Sequence, residues 1–192
     1  MIIGLTGTIG SGKGDLARYL ENKGFQRIVF SDILKDELIK RGIEITRENL
    51  QLMGDEFRKQ GDLNVLARKL LEKITRENVV LDGIRNPGEV DYLKKNSRFV
   101  LIGIDADEHT RFERTISRGD ARDPKTYREF RERDEKDRRS INPEGQQVDL
   151  CLQQADYKIF NNTTIEEFHA QIESVLIQIK NKKYQHTGAD EY

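Results

Sequence analysis

The sequence is poor in cysteine, carries no excess of charge of either sign and has no long apolar run. Its single cysteine, Cys151, leaves no internal disulfide to form, which fits a reducing compartment, so a cytoplasmic protein is expected. No stretch approaches the roughly 20 consecutive apolar residues of a membrane span. The apolar start of the chain runs directly into a glycine-rich segment, so it reads as a strand and not as a signal peptide. Lysine plus arginine number 33 against 34 acids, a formal net charge of −1. That balance argues against a general nucleic-acid or membrane partner while leaving local basic patches open. No internal repeat or low-complexity block is visible. What is present is a heavily solvated chain of 192 residues, 35% charged and 35% hydrophobic. It is long enough for one domain with a real core and an inserted mobile segment.

The stretch that organises the rest lies at the beginning. Met1 to Leu5 is apolar, and Gly7-Thr8-Ile9-Gly10-Ser11-Gly12-Lys13-Gly14-Asp15 follows. Gly7, Gly10 and Gly12 let backbone N–H groups close around a phosphate chain. Lys13 adds a cation for the outer phosphates. The helix expected over about 13–20 presents its N-terminus to the same anion. A plain strand-to-helix turn uses the same glycines. The Gly12-Lys13 pair, in a strand–loop–helix context, selects the phosphate reading. The residue after the lysine is Gly14, where a Ser or Thr hydroxyl usually ligates Mg²⁺. Asp15 comes next, and it either helps hold metal or points away.

Further on, strands are expected over about 26–30, 78–83, 98–104 and 157–160, alternating with helices. Ser31-Asp32 reads as the N-cap of a helix from Ile33 to about Lys40. Apolar spacing predicts helices over about 46–59, with Leu50, Met53 and Phe57, and over about 62–74, with Leu63, Leu66, Leu70 and Leu71. Pro87 suits a first helical turn, and Asp107 opens a helix ending near Gly119. Between Gly119 and Gly145 large apolar residues are few and Arg, Asp and Glu abundant. This segment reads as an excursion from the core, helical around 125–139. Thr163 or Thr164 caps a last helix, and 181–192 reads as a polar tail. Alternating strands and helices imply a parallel sheet covered on both faces. Ligands on such sheets bind at the carboxyl ends of the strands. That places the glycine loop, Ser31-Asp32, Asp82 to Arg85 and Asp105 along one rim.

Asp82 closes the apolar run Val79-Val80-Leu81, the Walker-B pattern, and is the candidate Mg²⁺ ligand. An acidic strand end capping the next helix is the plainer alternative. Arg85 has the bidentate fork for a second phosphate, against a solvated arginine beside a turn. His109, His169 and His186 show no metal-ligand spacing.

Together these residues give a resemblance to the P-loop nucleoside and nucleotide kinases. Gly7 to Gly14 resembles the adenylate kinase loop, and Ile3 to Lys13 also resembles dephospho-CoA kinase. Phe30-Ser31-Asp32-Ile33-Leu34-Lys35 is similar to the start of the monophosphate-binding helix of adenylate kinases, with Lys35 where they keep an arginine. Ala155-Asp156-Tyr157 through Asn161-Asn162 resembles the last strand and adenine-side loop of dephospho-CoA kinases. The whole layout, with Asp82-Gly83-Ile84-Arg85 and Glu132-Arg133-Asp134-Glu135, is similar to archaeal-type kinase-like proteins described as dephospho-CoA kinase-related. The Asp-Ala-Asp segment usual in dephospho-CoA kinases is absent.

The resemblance implies a three-layer α/β P-loop fold over 1–180. Its five-stranded parallel sheet would have the order 2-3-1-4-5, with acceptor-binding helices near 31–75 and a helical lid near 119–147. It implies ATP and Mg²⁺, with the γ-phosphoryl passing to a small nucleotide-like acceptor. Donor contacts would come from Gly7, Thr8, Ile9, Gly10, Ser11, Gly12, Lys13, Gly14, Asp15, Arg118 and Asn162. Ser31, Asp32, Lys35 and Arg85 would face the acceptor, with Asp32 orienting an acceptor hydroxyl. Arg118 and Arg122, flanking the lid hinge, would close on the transferred group. The acceptor alternatives are an NMP or dNMP and dephospho-CoA. A nucleotide-dependent switch or accessory ATPase with a protein or RNA partner is the alternative of another class.

Overall fold

The computed structural model describes residues 1–61, 64–120 and 123–187. The sequence-predicted helical Leu63 and the lid residue Arg122 lie outside the described residues.

Five strands form one fully parallel sheet in the order β2-β3-β1-β4-β5. β1 (Ile2–Gly7) is central, paired with β3 (Val79–Asp82) on one side and β4 (Phe99–Asp105) on the other. β2 (Gln26–Val29) and β5 (Tyr157–Phe160) form the edges. The expected order is the observed one. Side chains alternate across the pleat, as period-2 geometry requires. Ile3, Leu5, Val80, Ile102 and Ile104 face one core with Leu16, Ala17 and Leu20 of α1 (Lys13–Asn22) and Phe168 and Ile172 of α9 (Ile165–Thr187). Val79, Leu81 and Leu101 face the other core, with α2 (Phe30–Lys40), α4 (Val65–Glu72), α5 (Pro87–Asn96) and α8 (Val148–Gln153). Gly4 keeps the sheet centre passable: a Cβ there would come within 2.4 Å of Phe99 and 2.5 Å of Ile84.

Local rules account for most helix starts. Asn86 and Glu89 form a capping box around Pro87. Thr164 and Glu167 form another at α9. Thr46 accepts from Asn49 N before α3 (Arg47–Gly61). α6 (Glu108–Arg118) stops at Gly119, left-handed at φ 66°.

Three expectations are corrected. α2 begins at Phe30, with extended Val29 as its cap and no side-chain cap bond. Ser31 and Asp32 therefore sit inside the first turn, where an acid still favours the helix N-terminus. α9 runs to Thr187, so the polar tail begins as helix. The lid segment is helical, as α7 (Tyr127–Arg138), but it is not detached from the core. Phe130 is fully buried, and Asp134 and Asp137 are buried beside it.

Candidate active site

β1 delivers its carboxyl end to the middle of the sheet, and the chain turns there into the glycine loop. The left-handed dihedrals at Gly10 (φ 75°) and Gly12 (φ 105°) exclude ordinary side chains. Space excludes them as well. A Cβ on Gly10 would lie 2.3 Å from the Arg111 carbonyl, and one on Gly12 2.4 Å from Asn161 Nδ2. The loop is thus gripped from behind. Asn161 Nδ2 donates to Ser11 O at 2.9 Å, and Arg111 Nη1 donates to Ile9 O at 3.1 Å. Thr8 Oγ1 donates to Asp105 Oδ1 at 2.5 Å. Drawing loop carbonyls toward the protein is what an anion cradle of backbone amides requires. Ser11 Oγ is buried there with no hydrogen-bond partner among the described residues.

Lys13 Nζ donates to Gly7 O at 2.7 Å and Thr8 O at 2.6 Å. Burial pushes its pKa down to about 7, with the nearby Arg85 charge acting in the same direction and Asp82 and Asp137 opposing it. An ammonium this strongly desolvated is poised to gain from a bound anion.

Two cavities meet at this lysine. The first, of about 540 Å³, is lined by the whole loop from Gly7 to Asp15 and by Arg18, Arg114, Ser117 and Arg138. The second, of about 390 Å³, is lined by Phe30, Ser31, Leu34, Leu50, Gln51 and Leu66. Lys13, Arg47, Asp82, Arg85 and Arg118 line both. Asp137, from α7, lines the first. Its Oδ2 accepts from Arg47 Nη2 at 2.6 Å and from Arg85 Nη1 at 3.3 Å. Asp82 accepts from Arg27 Nη2 at 2.6 Å.

α7 is fixed to the loop by Arg111. That side chain is 1% exposed, its Nη1 and Nη2 reach Asp134 at 2.7 and 2.8 Å, and its guanidinium lies 5.4 Å from the Phe130 ring centre. Arg138 pairs with Asp149 at 2.8 Å at the far end of the helix.

The sequence-predicted residues divide by position. The loop residues, Asp82, Arg85 and Arg118 converge on the first cavity, and Ser31 on the second. Arg118 is half-exposed and forked onto Asp123 at 2.8 Å by two bonds. Asp15 lines the first cavity and pairs with Arg18. Asp32 and Lys35 pair with each other at 2.7 Å and line neither cavity. Asn162 lines neither and bonds Asp107 at 2.6 Å; its neighbour Asn161 touches the loop instead. Sequence reasoning missed Arg27, Arg47, Arg114, Asn161 and Asp137. Arg133 belongs to the alternating charges of α7, among which Arg128 pairs with Glu132 at 3.8 Å and Arg131 with Glu108 at 3.3 Å.

The donor set fits a small hard cation held jointly with phosphate oxygens. Asp82, Asp137 and Asp15 supply carboxylates around the cradle. Among the described residues no group of three or more His, Cys, Asp or Glu forms a self-sufficient metal cage. Mg²⁺ characteristically needs no such cage, since it binds through one or two carboxylates, phosphates and water. Among the described residues no helix is long and apolar enough to cross a membrane.

Comparison with known proteins agrees with this architecture. The family described as AAA domain matches residues 3–146. A UPF0200 protein of Pyrococcus horikoshii is 35% identical over 187 residues, covering 93% of this chain and 97% of that protein. A UPF0200 protein of Thermococcus kodakarensis is 30% identical over 190 residues, covering 95% and 100%. Among solved structures, the shikimate kinase from Acinetobacter baumannii in complex with shikimate superimposes with a TM-score of 0.58 at 19% identity, covering 95% of this chain and 94% of that one. A gluconokinase from Sinorhizobium meliloti gives 0.54 at 17% identity, covering 95% of each chain. At such identities the structural likeness establishes the fold. The chain belongs to the AAA-domain family and to the UPF0200 proteins, and its fold is that of the P-loop kinases.

Proposed function

We propose that the protein is an ATP-dependent phosphotransferase that moves the γ-phosphoryl of Mg-ATP to a small nucleotide-like acceptor. The observation that carries this reading is the pair of cavities meeting at Lys13. One is walled by the phosphate-type loop, and the other, with its apolar wall of Phe30, Leu34, Leu50 and Leu66, has room for an acceptor ring. In-line transfer needs two such spaces with cations between them.

In this reading the loop amides and Lys13 hold the donor phosphates. Mg²⁺, bound with the nucleotide beside Asp82, would supply neutralising charge on the phosphate oxygens. An acceptor oxygen attacks the γ-phosphorus from the second cavity. The bond to the β–γ bridging oxygen breaks, and ADP leaves from the first. Arg85 and Arg47, which line both cavities, would bridge the acceptor's anionic group and the equatorial oxygens as charge spreads over them. Arg118 would join them by leaving Asp123, and Arg122 is the adjacent candidate on the same segment. Ser31 would contact the acceptor. Asp32 and Lys35 would contribute only after their mutual pair opens, and an acceptor that is itself a phosphate needs no base.

The test is ADP production from Mg-ATP against NMPs, dNMPs and dephospho-CoA, with a no-acceptor control. Strong stimulation by one acceptor establishes the kinase and names its substrate. Equal ATP loss in every well, or none, refutes it in favour of a nucleotide-dependent switch.

A further inference from the structure

The Asp137 carboxylate sits between two guanidinium groups at the junction of the cavities. Its Oδ2 receives Arg47 Nη2 at 2.6 Å and Arg85 Nη1 at 3.3 Å. The three residues come from three separate places: the lid helix α7, the start of α3 and the turn after β3. A carboxylate bridging two arginines has the geometry those arginines would offer a phosphate oxygen. Most of the Asp137 side chain is covered, at 8% exposure, yet those of Arg47 and Arg85 are 29% and 34% exposed and line both cavities.

The buried pair next to it is built differently. Arg58 and Glu89 are 6% and 0% exposed. Glu89 is further locked by the backbone amides of Arg85 and Asn86, and Arg58 by the carbonyl of Glu144. Arg58 borders the second cavity, but its carboxylate partner Glu89 is fully buried and held by backbone amides, so this pair serves as structure. The Asp137 bridge opens onto space large enough for a ligand, so an incoming anion can exchange with it.

We infer that Asp137 is a displaceable stand-in for an anionic group of the acceptor. In this structure it occupies Arg47 and Arg85, whose Nη1 also donates to Gln146 Oε1 at 2.8 Å. A phosphate monoester or comparable oxyanion on the acceptor takes both arginines, Asp137 is released, and the lid helix is freed from α3. Two consequences follow. The acceptor class is restricted to molecules carrying an oxyanion, because a neutral polyol cannot compete with a carboxylate for two guanidinium groups. Loss of ATP to water is also suppressed, because the arginines stay occupied until the acceptor arrives. The consequence for turnover rests on the phosphotransferase reading, whereas the exchange of anions does not.

The experiment is titration calorimetry with inorganic phosphate as the probe, with the loop first filled by saturating Mg-ADP. Asp137→Asn keeps the shape and removes the competing charge. The variant is expected to bind phosphate about tenfold more tightly than the wild type, and its acceptor-independent ATP hydrolysis is expected to rise by a similar factor. Equal or weaker phosphate binding by Asp137→Asn overturns the inference. If that variant does not fold, Arg47→Gln in the wild-type background decides: loss of phosphate binding upholds the seat, and unchanged binding overturns it. Failure of Mg-ADP to bind would defeat the phosphotransferase reading alone, and the phosphate titration without nucleotide would still test the exchange.

Discussion

The Arg111–Asp134 pair lends itself to the sharpest stability test. Arg111 is 1% exposed, its two terminal nitrogens reach Asp134 at 2.7 and 2.8 Å, and Asp134 is itself 4% exposed. Asp134→Ala removes the paired carboxylate and leaves a buried guanidinium with the carbonyls of Ala106 and Ile9 and a longer contact, 3.6 Å, to Asp105. Breaking a buried pair in this way costs about 3–5 kcal/mol. In a chain of this size each kcal/mol moves the melting temperature by about 2–4 °C, so a fall of roughly 6–20 °C is expected. Differential scanning calorimetry of ligand-free protein at matched pH and salt measures it. The double replacement Arg111→Met with Asp134→Leu removes both charges and should recover most of the loss, since apolar substitutes of similar volume are often neutral. A fall under roughly 2 °C for Asp134→Ala would refute the claim that this pair fastens α7 to the loop.

Other outcomes follow from the loop itself. Lys13 has a pKa lowered to about 7 by burial, and phosphate bound beside it must raise that value. The complex then holds more protons than the free protein from about pH 7 upward, so Mg-ATP affinity should fall as pH rises, by at most about tenfold per unit. Calorimetry in buffers of different ionisation enthalpy should report proton uptake at about pH 8, where the second phosphate ionisation near 6 is already complete. Lys13→Arg should show none, since arginine stays charged; a flat affinity profile with no uptake contradicts the reading. Asn161→Ala leaves the Ser11 carbonyl unpaired in a buried setting and should cost about 1–3 kcal/mol with weakened nucleotide binding. Asn162→Ala removes an exposed side chain that bonds Asp107 at the start of α6 and lines neither cavity, and it should leave nucleotide affinity unchanged. Gly10→Ala should abolish nucleotide binding, because its Cβ would meet the Arg111 carbonyl at 2.3 Å; normal binding by that variant would show that the loop can move aside.

What could be read in advance is what depends on neighbours in the chain. The loop glycines, the apolar run ending in Asp82, and the helix periodicities are local signals, and the structure holds the first two at one rim of the sheet. The strand order followed from family resemblance, because nothing local specifies which strand lies in the middle. Arg47 and Asp137 are 90 residues apart in sequence, and no local pattern announces such a pairing. One signal was available. Phe130, Asp134 and Asp137 fall on one helical face at spacings of four and three, and that face is the buried one. A hydrophobic pattern search passes over it because two of its three members are acids. Their burial depends on arginines arriving from α6, α3 and the β3 turn. Ser31-Asp32 misled for the opposite reason, since residue types that favour a cap also suit the first turn. Asn162 stands one position from Asn161, which grips the loop, and nothing local tells two adjacent asparagines apart.

In the proposed reaction a phosphoryl group crosses from the loop cavity to the second cavity past Lys13. The most direct measurement follows the γ-phosphoryl of labelled Mg-ATP, using the acceptor that most stimulates ADP formation. Label is expected on the acceptor in one-to-one ratio with ADP formed, with no transfer by a folded Lys13→Ala variant. Label recovered only as inorganic phosphate, or transfer at the normal rate by Lys13→Ala, would contradict the proposed reaction.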